Sequence, residues 1–331
     1  MWDQRLRNNA YPKGKGWDIP KQKYGVTNWA KYTDSLRNRG RIDVWISEKA
    51  IEGWYKKDRV YDGTGTPFLY SDLAIITCHE IRKVFKQPLR QTQGLIDSFF
   101  ESQGLPIKCP DYTVLSKRLA ELDIKVPRYR KTDKPDDDIA GIAIDSTGLK
   151  RFGRDEWHQE KYKISAKRSW RKLHVAVDDD HYIQAALITD RYEADEEVVD
   201  ELLEQIDEPF DRFTADGAYD SHDVYDSVLN HSPNADVVIP PPKNAVFDEN
   251  NHAIRNINFN EIKDHGRMHW QKTRQYGKRN YSELAIQRYK RILGNTMQSR
   301  EISRQKNEGL IGAGILNKMT SLGMPDSFRR S

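Results

Sequence analysis

Tyr276, Arg279, Glu283 and Lys290 lie at offsets of 0, 3, 7 and 14 residues. At about 100° per residue, a helix would carry Arg279 about 60°, Glu283 about 20° and Lys290 about 40° from the direction of Tyr276. If the helix reaches back to Tyr276, one face holds a phenol, a guanidinium, a carboxylate and an ammonium. If it starts at Ser282, a suitable N-cap, Glu283 and Lys290 still share a face two turns apart. The apolar residues of the segment are Leu284, Ile286, Ile292 and Leu293. On its own the segment reads equally well as a basic, solvated helix with one acid on it. Two further carboxylates shift that balance. Asp145 ends the apolar run 139–144, and Asp216 follows Phe213-Thr214-Ala215. Each is a single acid closing a short strand-like stretch, with Gly148 or Gly217 close behind. A third acid on a late helix would complete a hard, all-oxygen site suited to Mg²⁺ or Mn²⁺. The acid runs Asp136–Asp138 and Asp178–Asp180 are rivals that read more simply as a linker and a turn. Trp270 is either a stacking platform or, more plainly, a core residue.

These motifs together resemble the DDE transposases of bacterial insertion sequences, in the group with a Tyr-x2-Arg-x3-Glu-x6-Lys signature, and are most similar to insertion sequence family five. The signature falls without gaps on Tyr276, Arg279, Glu283 and Lys290. The first two acids fall on Asp145 in Ile144-Asp145-Ser146-Thr147 and Asp216 in Ala215-Asp216-Gly217-Ala218-Tyr219. The likeness covers about residues 136 to 300. It implies a ribonuclease H-like fold and two divalent ions, Mg²⁺ or Mn²⁺, with Asp145 as bridging ligand and Asp216 and Glu283 as outer ligands. Such a pair of ions activates a water or a DNA 3′-hydroxyl and stabilises the leaving oxygen of an in-line phosphoryl displacement. The resemblance also implies that Arg279, Lys290 and Tyr276 hold phosphates of the element's end, a task suited to Arg and Lys.

The elements that would position these residues follow from the change of period along the chain. Residues 1–66 interleave Trp17, Tyr24, Trp29, Tyr32, Trp45, Trp54 and Tyr55 with lysines and arginines. That pattern suits either stacking on bases or a small core with snorkelling cations. Residues 67–126 read as a small helical domain. One helix runs from Asp72 to Phe85, a second from Leu89 to Gln103, and a third is capped by Asp111 with Leu115 and Leu119 buried. The third helix offers Thr113, Lys117 and Arg118 as DNA contacts in a helix-turn-helix-like arrangement. Residues 127–138 read as a linker. From 139 to 308 the pattern is mixed α/β: an apolar strand, strands over 163–169, 173–177 and 182–188, a helix from Glu196 to Ile206, and a strand ending at Asp216. A short helix, a strand before Pro240 and the late helix follow. Residues 243–275 read as a polar, irregular insertion, and 309–331 as a Gly- and Ser-rich, loosely packed tail. Lys167, Arg168 and Arg171, around Trp170, form a candidate basic hairpin beside the site.

Charge supports a polyanion partner. The chain of 331 residues has a net charge of only +4, but it is divided. Residues 1–135 hold 26 basic against 16 acidic side chains, and 255–331 hold 16 against 6. The intervening 136–254 hold 12 against 28. Basic flanks around an acidic middle suit a protein that grips a polyanion and binds divalent cations at its centre. With 31% charged residues, no membrane span is expected. The N-terminus has no apolar segment of the secretory kind. Cys78 and Cys109 lack metal-site spacing and are expected to be free thiols of a reducing, bacterial or archaeal cytoplasm, with the protein on the nucleoid when DNA-bound. The expected partners are double-stranded DNA, both terminal inverted repeats and target, and one or more further copies of the chain. The resulting expectation is a transposase that cleaves at element ends and joins the 3′-OH to target DNA. A metal-dependent nuclease without strand transfer and a domesticated DNA-binding protein are the alternatives.

Overall fold

In the computed structural model, residues 23–58, 68–126, 139–151, 170–249 and 252–330 are described. The strand expected over 163–169, the linker, and Lys167 and Arg168 lie outside them. β1 (Lys23–Val26) pairs antiparallel with β7 (Ser327–Arg330), so the two ends of the described chain meet. Between them come the short helices α1 (Trp29–Arg39), α2 (Ile42–Trp45) and α3 (Glu48–Glu52). Of the early aromatics, Trp45 and Trp54 are core residues and Trp29 is exposed.

The three helices read from residues 67–126 form, each from a local cause. α4 (Asp72–Val84) starts where the Ser71 hydroxyl accepts the Ala74 N–H, and buries Ala74, Ile75, Cys78 and Ile81 along one stripe. α5 (Leu89–Ser102) buries Ile96 and Phe100, one turn apart. α6 (Tyr112–Arg118) starts at Asp111, whose carboxylate accepts the Thr113 N–H at 2.8 Å. The nine residues between α5 and α6 are more than the three- or four-residue turn of a compact helix-turn-helix. Cys78 and Cys109 are free and buried, and their Sγ atoms lie 3.8 Å apart although 31 positions separate them.

The second unit is a five-stranded mixed sheet in the order β4-β3-β2-β5-β6. β2 (Ile142–Lys150), β3 (Trp170–Asp178) and β4 (Ile183–Asp190) are antiparallel. β5 (Arg212–Thr214) and β6 (Asp236–Val238) run parallel to β2. Alternating side chains of these strands enter two cores. Ala176, Ala185 and Leu187 pack with Val199 and Leu202 of α7 (Val199–Leu203) and Val224 and Val228 of α8 (His222–His231). Val175, Val177, Ala186 and Ile188 pack on the other face against α11 (Asn280–Ile292) and α12 (Ile302–Ser321). Burial on both faces explains why these strands read as near-continuous apolar runs. The expected long helix from Glu196 is reduced to α7.

Two expectations fail. Residues 243–275 are not irregular: α9 (Ala253–His265) and α10 (Arg267–Thr273) occupy most of them. Trp270 of α10 is fully buried and donates to Asn258 Oδ1 at 3.0 Å, a core role. The stretch after 309 is no loose tail. α12 runs straight through it and is buried along most of its length. Its glycines allow close approach. A Cβ on Gly309 would come within 2.4 Å of Ile188, and one on Gly312 within 2.5 Å of the Tyr289 ring.

α12 also joins the two units. Ile311, Ile315 and Met319 complete the core of α4–α6, while Ala313 and Leu316 belong to the sheet core. Asn317 answers both the N–H and the C=O of Ile183, at 2.7 and 2.8 Å. Asn307 donates to Leu119 and Leu122 carbonyls on the other side. The helical region therefore shares a core with the C-terminus rather than forming a separate module. Gly312→Ala should lower stability by about 1–3 kcal/mol through overpacking against Tyr289. Urea denaturation of the full chain checks this, and an unchanged midpoint would show that α12 can slide away from α11.

Candidate active site

Asp145 does not end its strand. It lies midway along β2, and the edge it occupies is set by register. Ala143 pairs with Thr214 of parallel β5, so two residues further along both chains bring Asp145 level with Asp216. Asp216 sits just past β5 as the cap of a 3₁₀ turn, Gly217–Tyr219, where its carboxylate accepts the Ala218 N–H at 2.9 Å. Glu283 comes from the first turn of α11, which packs across β2 and β3. A 3₁₀ turn over Tyr276–Arg279 leads directly into α11, so the helical path does reach back to Tyr276. Ser282 is not the cap; its hydroxyl donates to the Arg279 carbonyl from inside the helix.

Two of the three acids meet at Arg279, and the charge of the third, Asp216, reaches Asp145. The Arg279 guanidinium pairs with Glu283 and lies 3.7 Å from Asp145 Oδ2. Burial pushes the Asp145 carboxyl above the usual carboxylate range, and the charges of Asp216 and Glu283 push it the same way. The Ser146 N–H and Arg279 oppose that shift without cancelling it. A carboxyl raised by two neighbouring carboxylates, with oxygen donors throughout, has the chemistry a hard divalent cation favours. The Tyr276 ring packs 5.1 Å from Trp270 and 5.8 Å beneath the Arg279 guanidinium. Its hydroxyl is pushed up to about 12, chiefly by burial, with Asp216 and Glu283 adding to the rise and Arg279 opposing it. Lys290 lies two turns beyond Glu283 in the last turn of α11, partly exposed and with no ion pair among the described residues. Beyond it Gly294, at a φ of 99°, turns the chain so that Asn295 and Met297 bond to Lys150 at the end of β2.

Other expected contacts fall elsewhere. Thr113 and Lys117 are exposed, one turn apart on α6. Arg118 is turned inward: it pairs with Asp72, bonds the Tyr70 carbonyl and stacks on Phe68 at 3.8 Å. Those partners sit at the start of α4, so Arg118 ties α6 to α4 rather than facing DNA. Arg171 is likewise buried, held by Gln305 and Asp190. Asp178 caps the β3–β4 turn by accepting the Asp180 and Tyr182 N–H groups, and Asp179 pairs with Lys278 at 2.7 Å. That rival acid run is a turn, as its composition suggests. Asp136–Asp138 lie outside the described residues.

Sequence reasoning missed a second row behind Asp145. Ser146 Oγ donates to Asp195 Oδ2 at 2.8 Å, and Lys172 Nζ bonds Asp195 Oδ1 at 3.0 Å. Buried Tyr219 lies where the charges of Asp195, Asp145 and Asp216 all reach its hydroxyl, whose pKa rises, mainly through burial. Asp195 stands in a run of acids and polar residues that reads as a solvated loop, so only its position beside Ser146 reveals it.

A family model described as Transposase DDE domain matches residues 37–154, and a second of the same description matches 136–318, more than half of the chain. Among solved structures, the chain is similar to a piggyBac transposase in a synaptic complex with hairpin DNA. That likeness is at 12% identity with a TM-score of 0.41, over 89% of this chain and 76% of that one. The longer family match spans Asp145, Asp216 and Glu283 together, and this chain belongs to the DDE-domain transposases, enzymes that cleave DNA and transfer strands with the help of divalent metal ions.

Proposed function

We propose that the chain moves an insertion sequence of the family-five type by a cut-and-paste route. It binds terminal inverted repeats, hydrolyses DNA at the element ends and joins the freed 3′-OH to target DNA. The observation that carries this reading is the grouping of Asp145 from β2 with Glu283 from the start of α11 on one guanidinium, with Asp216 past the end of β5 close enough for its charge to act on Asp145. The strand order, three antiparallel strands followed by two parallel ones, supports a ribonuclease H-like catalytic domain. Asp145, Asp216 and Glu283 would hold two Mg²⁺ or Mn²⁺ ions, which supply the activated oxygen nucleophile and stabilise the leaving oxygen.

The chain's own groups then have separable tasks. Arg279 balances the carboxylates and, once they are neutralised, is placed to take a DNA phosphate through its planar fork. Tyr276 supports that guanidinium from below. Thr113 and Lys117 contact DNA from α6, with Arg90 stacked on Tyr112 at 4.5 Å beside them. An element has two ends, so at least two copies of the chain act together at synapsis.

The test uses the full chain, a labelled duplex ending in a candidate terminal repeat, and Mg²⁺, read for cleavage and joining. Cleavage without joining supports the nuclease reading, and binding with neither reaction supports a DNA-binding role.

Lys290 gives a sharper check. It lies about 10 Å along the helix from Glu283 at 1.5 Å per residue, too far to be a ligand but suited to a phosphate one or two nucleotides away. Lys290→Ala should weaken assembly on the cut end and slow cleavage, leaving metal affinity nearly unchanged. Lys290→Arg should recover part of the activity, because it keeps the charge but replaces a compact ammonium with a fork. Full end cleavage by Lys290→Ala at moderate salt would reduce it to a solvated lysine.

A further inference from the structure

A second cluster of metal-ligating groups lies where α8 and α9 begin, and it shares no residue with the three acids. His222 is the first residue of α8, Asp226 follows one turn later on the same face, and His252 immediately precedes α9. The Asp226 carboxylate sits between the two imidazoles. Its Oδ2 is 3.0 Å from His222 Nδ1, and its Oδ1 is 3.2 Å from His252 Nε2. The two rings are 4.4 Å apart, and His252 is held flat against Tyr225 at 5.4 Å and 17°. One donor atom from each residue can be chosen so that all three lie within 4.8 Å of one another.

We propose that His222, Asp226 and His252 form a transition-metal site, of the kind taken by Zn²⁺, that clasps α8 to α9. Two imidazole nitrogens and one carboxylate oxygen are donors that favour Zn²⁺ or its neighbours over Mg²⁺, whereas the all-oxygen trio favours Mg²⁺ or Mn²⁺. Donor-to-metal distances of about 2.0–2.2 Å need the three atoms to close by roughly 1 Å. The freedom for this lies in His222 and Asp226, whose side chains are 55% and 51% exposed, while His252 is fixed at 17%. Solvent can complete a tetrahedral set on the open side.

The consequence is mechanical. The segment from Asp216 to α8 is already pinned to α9 by Asp220, which is buried and pairs with Arg255 at 3.1 Å. A cation on the cluster adds a second pin six residues beyond Asp216. It therefore stiffens the stretch that carries one of the three acids without touching the reacting atoms.

The test is titration of the chelator-stripped full chain with Zn²⁺ in millimolar Mg²⁺, by calorimetry, with Co²⁺ absorption as a probe of the donor set. The expected result is one equivalent bound at roughly micromolar Kd or tighter and not displaced by Mg²⁺. Binding should weaken at least tenfold in Asp226→Asn and in His252→Gln, by analogy with losses seen even when partners of ligands are removed. Thermal unfolding of the wild-type chain should shift up by roughly 3–5 °C at about a hundredfold excess of Zn²⁺ over Kd, and the shift should vanish in both variants. His265→Gln serves as a control, because His265 and His269 bring two other rings within 5.0 Å. Binding retained in both cluster variants, lost in His265→Gln, displaced by Mg²⁺, or absent below about 100 µM Zn²⁺ would overturn the assignment. Circular dichroism of each metal-free variant separates loss of the site from loss of the fold.

Discussion

Asp145→Ala, Asp216→Ala and Glu283→Ala each remove cleavage and joining, by a factor of roughly 10³ or more, while binding to the element end persists. The expectation rests on three carboxylates from three separate elements, with Asp145 feeling the charges of both others. Losing any one takes away several kcal/mol of charge stabilisation in the transition state. Because the residues act as a unit, double and triple variants should be little worse than single ones. Gel-shift and cleavage assays on the same preparations separate binding from chemistry. A variant that keeps more than about a tenth of the activity, a loss of under about 1.4 kcal/mol, does not belong to the site. Stability gives a second readout. The folded protein raises the Asp145 carboxyl above its ordinary value, so its ionised form opposes folding at neutral pH. Asp145→Asn should therefore raise the unfolding midpoint without added metal while removing activity. A protein that loses both activity and stability on this change would place Asp145 among structural acids.

The parts of this site that could be read from sequence are those fixed by short-range pattern. The runs before Asp145 and Asp216 are strands because they are buried on both sheet faces, and a helix does form that carries Glu283 and Lys290, with Tyr276 and Arg279 on the 3₁₀ turn leading into it. What escaped reading depends on contacts distant in sequence. The glycines of α12 look like a flexible tail until Ile188 and Tyr289 are seen pressed against them. A helix of low propensity is held by tertiary packing, which local pattern does not report. α9 and α10 are polar enough to read as loop, because they bury little beyond Asn258, Arg255 and Trp270. Arg118 and Arg171 look like surface cations because nothing local announces Asp72, Asp190 or Gln305 as partners. The ties between the N-terminal helices and the sheet are hidden for the same reason: α12 and the β1–β7 pairing make them from the far end of the chain.

That joining includes a deeply buried ion pair, Lys83 on α4 with Glu308 on α12, whose side chains are 7% and 3% exposed. Lys83 Nζ lies 3.2 Å from Glu308 Oε1 and 5.6 Å from the centre of the Tyr289 ring. The Glu308 oxygens also accept the Gln298 and Ser299 N–H groups at 2.9 and 2.8 Å. Burial alone would raise the Glu308 carboxyl, but Lys83 and these N–H groups outweigh it and leave the value below the usual range. For Lys83 burial acts downward, and the neighbouring Tyr289 and Glu308 carry its value up. The signs follow. The carboxylate's contribution is present above the unfolded glutamate value of about 4.3 and is lost as pH falls through the lower folded value. The ammonium's contribution is present below the unfolded lysine value of about 10.4 and is lost only as pH rises through the higher folded one. Between those limits the pair is fully charged. Glu308→Ala leaves a buried ammonium and two unanswered N–H groups, and should cost about 3–5 kcal/mol. Glu308→Gln keeps an acceptor for one of those N–H groups and should cost less, while flattening the acid limb of the stability profile. Lys83→Met combined with Glu308→Gln should cost less than the two single changes added together, since no buried charge is left unpaired. Urea denaturation of the full chain between about pH 3.5 and 8 measures all three. A Glu308→Ala loss under about 1 kcal/mol, with the acid limb unchanged, would mean that α4 and α12 are held by Ile75, Ile81, Ile311 and Ile315 alone.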